Sequence, residues 1–434
     1  MEILSLGEKI KRRRKELNMT LKDLAKDRIT PGQISLVESG KSNPSMDLLE
    51  YLAYALETSV DYLMESEESQ AEKICLFFEN MAEANILNED LNSAIGYIEK
   101  ALYYGEKYNL EYRKAKNLYL SAIIHKSRNE YGLAQQLFLS SNVIFIKNNS
   151  YEDIVKTFLN LGKVTFDAKA YYSASSYLKQ AEKTFLENNM GDDALIGEIY
   201  YYIANTFYKL ESLNEAISYT YLAKEKFSKL DDKKNYAKSL LLLADQYNKK
   251  GDVDNAIKYS VKTLDIFREL KDSFQVSQIE NNLGKLFYEF ENIEQSFKHF
   301  NKAKDMRLRN EDPKIVETLI NICENYIKIK DKENCIKALS EISSKIEDGD
   351  NDALIKYYLL KYKVEMLEQN SSEAENTLIM ALNFAKNMEI YKEAAEISII
   401  LGNYYIENKD DKGAAKYLNE GVLMFKKLGV IKDI

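Results

Sequence analysis

From residue 82 to residue 414 the sequence sets two small residues twelve positions apart and repeats the arrangement about every forty residues. The first member is Ala82, Ala122, Gly162, Ala204, Ala244, Gly284, Cys323, Tyr362 and Gly402. The second is Ala94, Ala134, Ala174, Ala216, Ala256, Ser296, Cys335, Ala374 and Ala414. Seventeen of the eighteen are Ala, Gly, Ser or Cys, far above the ordinary usage of those residues. Only a side chain this small lets two helices touch at a crossing, so each pair of markers predicts a pair of packed helices. Phe207, Tyr247, Phe287, Tyr326 and Tyr405 follow a first marker by three and are placed to fill the gap beside it. Polar stretches such as LESLN (210–214), KKGDVDN (249–255) and ENKDDKG (407–413) read as the turns between helices.

Composition supports an all-α chain built from several units. At 434 residues it exceeds what one ordinary core holds, and 45% apolar with 30% charged residues suits a folded protein. Three Pro and sixteen Gly leave little to punctuate strands. No apolar run approaches the ~18 residues of a membrane span, and the start, MEILSLGEKIKRRRKE, lacks a signal-peptide core after its charges. Cys75, Cys323 and Cys335 form no paired motif, which suits a reducing cytoplasm. With His125 and His299 as the two histidines, neither a metal site, a cofactor nor a catalytic nucleophile pair is expected, and the chain does not read as an enzyme.

Charge is uneven. Residues 1–41 carry ten Lys and Arg against six Asp and Glu, although the whole chain stands at −9. A basic front on an acidic body fits a head that meets phosphate while the rest is repelled by it. The head, residues 1–64, reads as five short helices. Thr20 with Asp23 three residues on opens the second, and Thr30 followed by Pro31 opens the third. Ile34 and Val37 of the third should face inward and Gln33 and Leu36 outward. Leu48, Leu49, Leu52 and Leu56 should close a small core. Residues 65–72, ESEESQAE, form a polar acidic linker, and the repeats occupy 73–434.

Thr20, Leu24, Ala25, Ile34, Ser35, Glu38, Gly40, Lys41, Pro44 and Ser45 resemble the Cro/repressor-type helix-turn-helix family. That resemblance implies that the third helix reads base edges in the major groove. Thr30, Gln33 and Leu36 are then the candidate readers, with Thr20 and Ser35 in the same DNA-facing set. Lys9, Arg12, Arg13, Lys41, Ser42 and Asn43 are candidate phosphate contacts. The step from Ala25 to Ile34 is nine residues where ten is common, and this shortened turn is similar to that of the peptide-sensing RRNPP regulators.

The body resembles nine tetratricopeptide-type repeats, the pattern standing at Leu161–Ala174, Leu241–Ala256 and Asn282–Met306. Such repeats imply a right-handed α-solenoid whose first helices form a concave inner wall. Residues two before and one after the first marker face that wall, including Asn160, Asn282 and Asn321, then Lys163, Asn205, Lys285, Lys363 and Asn403. An asparagine amide both donates and accepts, so it can hold a peptide bond whatever the ligand's side chains. The RRNPP resemblance implies that role for Asn160, Asn205, Asn282, Asn321 and Asn403, with Tyr201 and Tyr208 as walls. At the C-terminal end Leu418, Val422, Phe425, Leu428 and Ile431 make an apolar stripe suited to a second subunit.

The resemblance, closest in layout to the NprR type, implies a cytoplasmic quorum-sensing transcription regulator. It would bind operator DNA as a homodimer under control of a short signalling peptide, with sporulation genes among the outputs. The alternative is a body that captures a response regulator or phosphorelay protein. Either way no membrane is involved.

Overall fold

The computed structural model describes residues 2–429, among which there are 23 helices and no strand. The head is α1 (Leu6–Glu16), α2 (Leu21–Ala25), α3 (Pro31–Glu38), α4 (Met46–Ala55) and α5 (Val60–Met64). Capping boxes start three of them: Ser5 with Glu8, Thr20 with Asp23, and Thr30 with Gln33. Ile10, Leu24, Ile34, Val37, Leu49, Leu52, Leu56 and Leu63 form the head's core, with Leu48 only partly buried.

Nine helix pairs follow. The first four are α6 (Glu67–Leu87) with α7 (Leu91–Lys107), α8 (Glu111–Ser127) with α9 (Tyr131–Lys147), α10 (Tyr151–Asp167) with α11 (Tyr171–Glu187), and α12 (Asp193–Lys209) with α13 (Leu213–Lys229). Next come α14 (Lys233–Lys250) with α15 (Val253–Glu269) and α16 (Ser273–Glu289) with α17 (Ile293–Arg309). The last three are α18 (Ile315–Lys328) with α19 (Lys332–Lys345), α20 (Asn351–Leu367) with α21 (Ser371–Asn387), and α22 (Tyr391–Glu407) with α23 (Asp411–Lys427). Residues 65–72 hold the cap Ser66 and the opening turn of α6, so only Glu65 and Ser66 stand outside helix between the head and the repeats. By compactness the chain divides at 226/227, inside α13.

Each first marker lies in the first helix of a pair and each second marker in its partner, and all seventeen small markers are buried. The glycines mark the tightest crossings. A Cβ on Gly162 would lie 2.5 Å from Leu178, on Gly284 2.5 Å from Phe300, and on Gly402 2.6 Å from Leu418. In each case the partner stands sixteen residues on, where a large side chain fills the space that the glycine leaves. Gly284→Ala should therefore lower stability by about 1–3 kcal/mol in urea unfolding, and Phe300→Leu in the same chain should recover much of the loss. An unchanged midpoint would refute the close-crossing account.

The spacing comes from the turns. Most body helices are 17 residues long and joined by three residues, giving a step of twenty and a pair of forty. The middle turn residue is left-handed: φ is 62° at Glu89, 54° at Asn109, 60° at Asn129, 61° at Lys169 and 60° at Glu291. After α6 the Glu89 N–H donates to the Ile86 carbonyl and the Asp90 N–H to the Asn85 carbonyl, a Schellman closure. The next residue is often Asp or Asn and caps the following helix, as at Asp90, Asp252, Asp272, Asn292 and Asp331.

First helices lie side by side within each unit, α6 against α8 and α10 against α12 in one, α16 against α18 and α18 against α20 in the other. Polar side chains link them. Glu79 takes hydrogen bonds from Arg113 (3.0 Å) and Asn117 (2.9 Å), and Asp153 takes them from Tyr112 (2.9 Å) and Lys116 (2.8 Å). Burial pushes the Glu79 carboxyl above its ordinary pKa, against the opposing pull of Arg113.

Candidate functional site

In the head, α3 is held from two sides. Gly7 of α1 lies against its C-terminal backbone, where a Cβ would come within 2.5 Å of the Val37 carbonyl oxygen. Arg14 grips Glu38 with two parallel bonds, Nε to Oε1 at 2.6 Å and Nη2 to Oε2 at 2.9 Å, and gives Nη1 to the Met19 carbonyl at 2.8 Å. Held this way, α3 turns Ile34 and Val37 inward and leaves Gln33, Ser35 and Leu36 exposed.

The DNA-facing candidates separate into groups. Thr20 and Thr30 are exposed at helix starts with their hydroxyls in capping boxes. Gln33 Oε1 accepts from the Thr30 N–H at 3.2 Å, which leaves its amide NH2 as the available donor. Lys41, Ser42 and Asn43 are exposed just past Gly40, whose φ of 70° ends α3. Arg12 is exposed and paired with Glu2 and Glu16. Arg13 gives Nε to the Leu56 carbonyl at 3.0 Å and Nη1 to Glu16 at 3.1 Å, bracing the end of α4.

Lys9 requires a correction. It is 1% exposed, and its ammonium donates to the carbonyls of Tyr62 (2.9 Å) and Glu65 (2.6 Å). Its four-carbon stem reaches inward as readily as outward, and the uncapped carbonyls at the end of α5 draw it in. It is a structural pin and presents no charge to phosphate. Gln70 of α6 completes the joint, accepting from the Leu4 N–H at 3.1 Å and donating to the Leu4 carbonyl at 2.8 Å.

On the first helices the candidate asparagines are already part of the protein's own network. Asn160 donates to the Tyr119 hydroxyl at 2.8 Å, Asn205 to the Tyr201 carbonyl at 2.9 Å, and Asn321 to Asn281 at 3.1 Å. Asn282 accepts from Gln278 at 3.1 Å, and Asn403 is exposed. Asn160, Asn205 and Asn321 thus keep an amide oxygen as the free half, suited to accept a peptide N–H. Tyr201 and Tyr208 are half-buried on α12 beside Asn205.

In the C-terminal unit the seventh pair breaks the rhythm. Its two helices have 14 residues each, and Pro313 delays the start of α18. A cavity of about 630 Å³ opens there between α16, α18 and α20. Val316, Ile320, Leu359 and Leu360 form its apolar part, and Asn321 lies on its wall. Two ion pairs rim it, Lys285 with Glu317 at 2.5 Å and Lys363 with Glu324 at 3.8 Å. The inward position one after the marker correctly placed Lys285 and Lys363. Glu324, one after Cys323, and Leu360, two before Tyr362, also stand at inward positions, whereas Glu317, Val316, Ile320 and Leu359 lie at other positions of the repeat and carry no such signal. Beneath the rim Arg307 of α17 is fully buried, giving Nη1 to the Lys314 carbonyl (2.8 Å) and Thr318 hydroxyl (2.6 Å) and Nη2 to Gln278 (2.8 Å).

The thiols are packing groups. Burial raises Cys323 to about 12 and Cys335 to about 11, which keeps both protonated where their helices cross. Of the C-terminal stripe, Leu418 packs under Gly402 within its own pair, Val422 and Leu428 are exposed, and Ile431 lies outside the described residues.

Comparison with known proteins agrees with both modules. Residues 10–63 match the Helix-turn-helix family and residues 235–309 the Tetratricopeptide repeat family. The transcriptional activator NprA of Geobacillus stearothermophilus is 23% identical over 280 residues, which is 62% of this chain and 68% of that protein. The chain thus joins a helix-turn-helix head to tetratricopeptide repeats, an RRNPP-type combination, and is similar to NprA. Among solved structures, the apo form of RapI matches with a TM-score of 0.62 at 14% identity, covering 83% of this chain and all of that one. The apo form of the quorum sensor NprR from B. thuringiensis gives 0.58 at 14%, with 83% of this chain covered. At that identity both likenesses are of fold. Among the described residues no helix is long and apolar enough to cross a membrane.

Proposed function

We propose that this RRNPP-type chain is a cytoplasmic, quorum-sensing-type transcription regulator that binds operator DNA as a homodimer. A short signalling peptide lying along the first helices controls it. The observation that carries the proposal is the joint between head and body. Gln70 of α6 fastens Leu4 at the start of the head, and Lys9 of α1 holds the Glu65 carbonyl between α5 and α6, so a change in the packing of the first helices moves the exposed face of α3 with it. A peptide biases that movement by the difference in its affinity for the two arrangements. Exposed Val422 and Leu428 give the end of the chain a surface for the second subunit.

The direct test is binding to the DNA upstream of its own reading frame over a range of salt. A steep fall in affinity with salt is expected, from phosphate contacts by Arg12, Lys41 and their neighbours. Gln33→Ala should cost about 1–3 kcal/mol at one base pair and relax specificity there. Uniform weakening on all sequences would remove Gln33 as a reader. One observation favours the alternative, capture of a response regulator: Leu139, Val143 and Ile146 form an exposed apolar row on α9. Capture of such a protein that Val143→Glu abolishes, in a chain that shows no salt-dependent DNA binding, would establish that alternative.

A further inference from the structure

Glu280 points away from the inward side of α16. Lys285 on that side meets Glu317 of α18. Glu280 instead meets the second helices, with Arg268 Nη2 of α15 at 2.8 Å and His299 Nδ1 and Lys302 Nζ of α17 at 2.6 Å and 3.9 Å. It is 1% exposed, and a carboxylate buried to that degree needs such partners. In the neighbouring pairs Leu240 and Leu319 hold the same place, four before the first marker, and both are buried. The sixth pair thus carries a charge cluster where its neighbours make an apolar contact.

A crevice of about 400 Å³ opens over this cluster, between the ends of α15 and α17 and the start of α16. Arg268, Lys271, Lys302 and Arg309 line it against Glu280 and Asp305, with Val276 and Met306 as its apolar part. Ser273 Oγ accepts from Asn310 at 3.0 Å, which leaves its O–H to donate into the crevice. Lys271 and Arg309 are exposed, and among the described residues their side chains make no ion pair or hydrogen bond, so both can turn to a ligand.

A smaller crevice of about 230 Å³ stands one repeat earlier. There Asp231 and Glu269 line the places of Lys271 and Arg309, Ser228 that of Arg268, and Ile266 that of Met306. The repeat makes the hollow, and the positive lining is particular to the second of the two. In a chain of net charge −9, four cations around one hollow concentrate anions there. Arginine forks and lysine point charges both suit phosphate, whose three terminal oxygens can occupy more of these donors than the two of a carboxylate.

We propose that the crevice between α15, α16 and α17 binds a small phosphate-bearing molecule. Arg268, Lys271, Lys302 and Arg309 take the phosphate, Val276 and Met306 take the remainder, and Glu280 positions Arg268 and Lys302. The site is separate from the side of α16 that carries Asn282 and Lys285 and does not rest on peptide binding there. Free phosphate and phosphate on an organic carrier share this chemistry, and the probes separate them.

Inorganic phosphate, AMP, adenosine and a hepta-aspartate peptide are titrated into the full chain by calorimetry at about 0.15 M salt. AMP, phosphate or both should bind with a Kd below about 1 mM, and adenosine should not. AMP about tenfold tighter than phosphate identifies an organic carrier, and AMP no tighter identifies the free anion. Lys271→Asp with Arg309→Glu copies the residues found one repeat earlier. It should weaken binding about tenfold or more and leave the urea midpoint unchanged, because both side chains are exposed. Arg309→Gln alone should show part of the same loss. The same charge change at two exposed lysines elsewhere, Lys147→Asp with Lys183→Glu, should leave binding intact. Failure of both phosphate probes to bind, adenosine binding equal to that of AMP, binding that survives the crevice swap, or equal loss in the distant swap overturns the proposal. Hepta-aspartate binding tighter than either phosphate probe overturns it in favour of an acidic protein segment.

Discussion

Glu38→Ala should unfold the head and leave the repeats folded. The Arg14–Glu38 fork is shielded, with the side chains 12% and 7% exposed, and removing one member of such a pair leaves the other charge buried alone, at about 3–5 kcal/mol. A head of this size has little stability in reserve. Thermal unfolding followed by circular dichroism should show an early transition of small amplitude, and hydrogen exchange should lose protection in α1 to α5 only. DNA binding should vanish with it. Arg14→Met combined with Glu38→Leu should restore most of the stability, since an apolar pair of similar volume replaces the charges without stranding either. A single unchanged transition in Glu38→Ala would show that the fork contributes little.

Arg307→Met should destabilise the C-terminal unit by a similar amount, about 3–5 kcal/mol. Its guanidinium joins α16, α17 and the turn before α18 through three acceptors, and the nearest carboxylates stand at 3.5 Å (Glu317) and 3.8 Å (Asp312). Burial alone would raise the Glu317 carboxyl, but Lys285 and Arg307 pull it below its ordinary value. Met has nearly the same reach and supplies no donor, so the three acceptors lose their partner in a closed space. Urea unfolding should show the loss, with hydrogen exchange fastest in α16 and α18. Arg307→Lys should recover little, because a single point charge cannot serve three acceptors in a plane. A midpoint equal to the parent's would mean that the surrounding helices hold the cavity without it.

The two sites differ in how far the sequence disclosed them. The helix pairs were legible because a crossing admits only a few side chains, and Gly162, Gly284 and Gly402 show the constraint most directly. The exposed face of α3 was legible through Thr30 and Pro31, which fix where that helix begins. Arg14 and Lys9 were not, because a long basic side chain in a basic run looks the same whether its tip turns to water or inward. The placement of Asn160 and Asn321 on first helices was legible from position, but only packing reveals that their N–H groups are already engaged. The cavity was hidden because it arises from a departure, two short helices and Pro313, whereas the repeats were recognised by their regularity. Turn positions were obscured for a related reason. They need a left-handed backbone, and here Glu, Lys, Asn, Asp and Gln adopt it as well as Gly.

Those left-handed turns bear on kinship. A hinge defined by a backbone state, which several polar residues can enter for about 1–2 kcal/mol, imposes almost no fixed letter on the chain. What remains obligatory is a sparse lattice of small side chains, two per forty residues. Architecture of this kind tolerates a change of nearly all its spelling, which is how a fold can be shared with RapI at 14% identity.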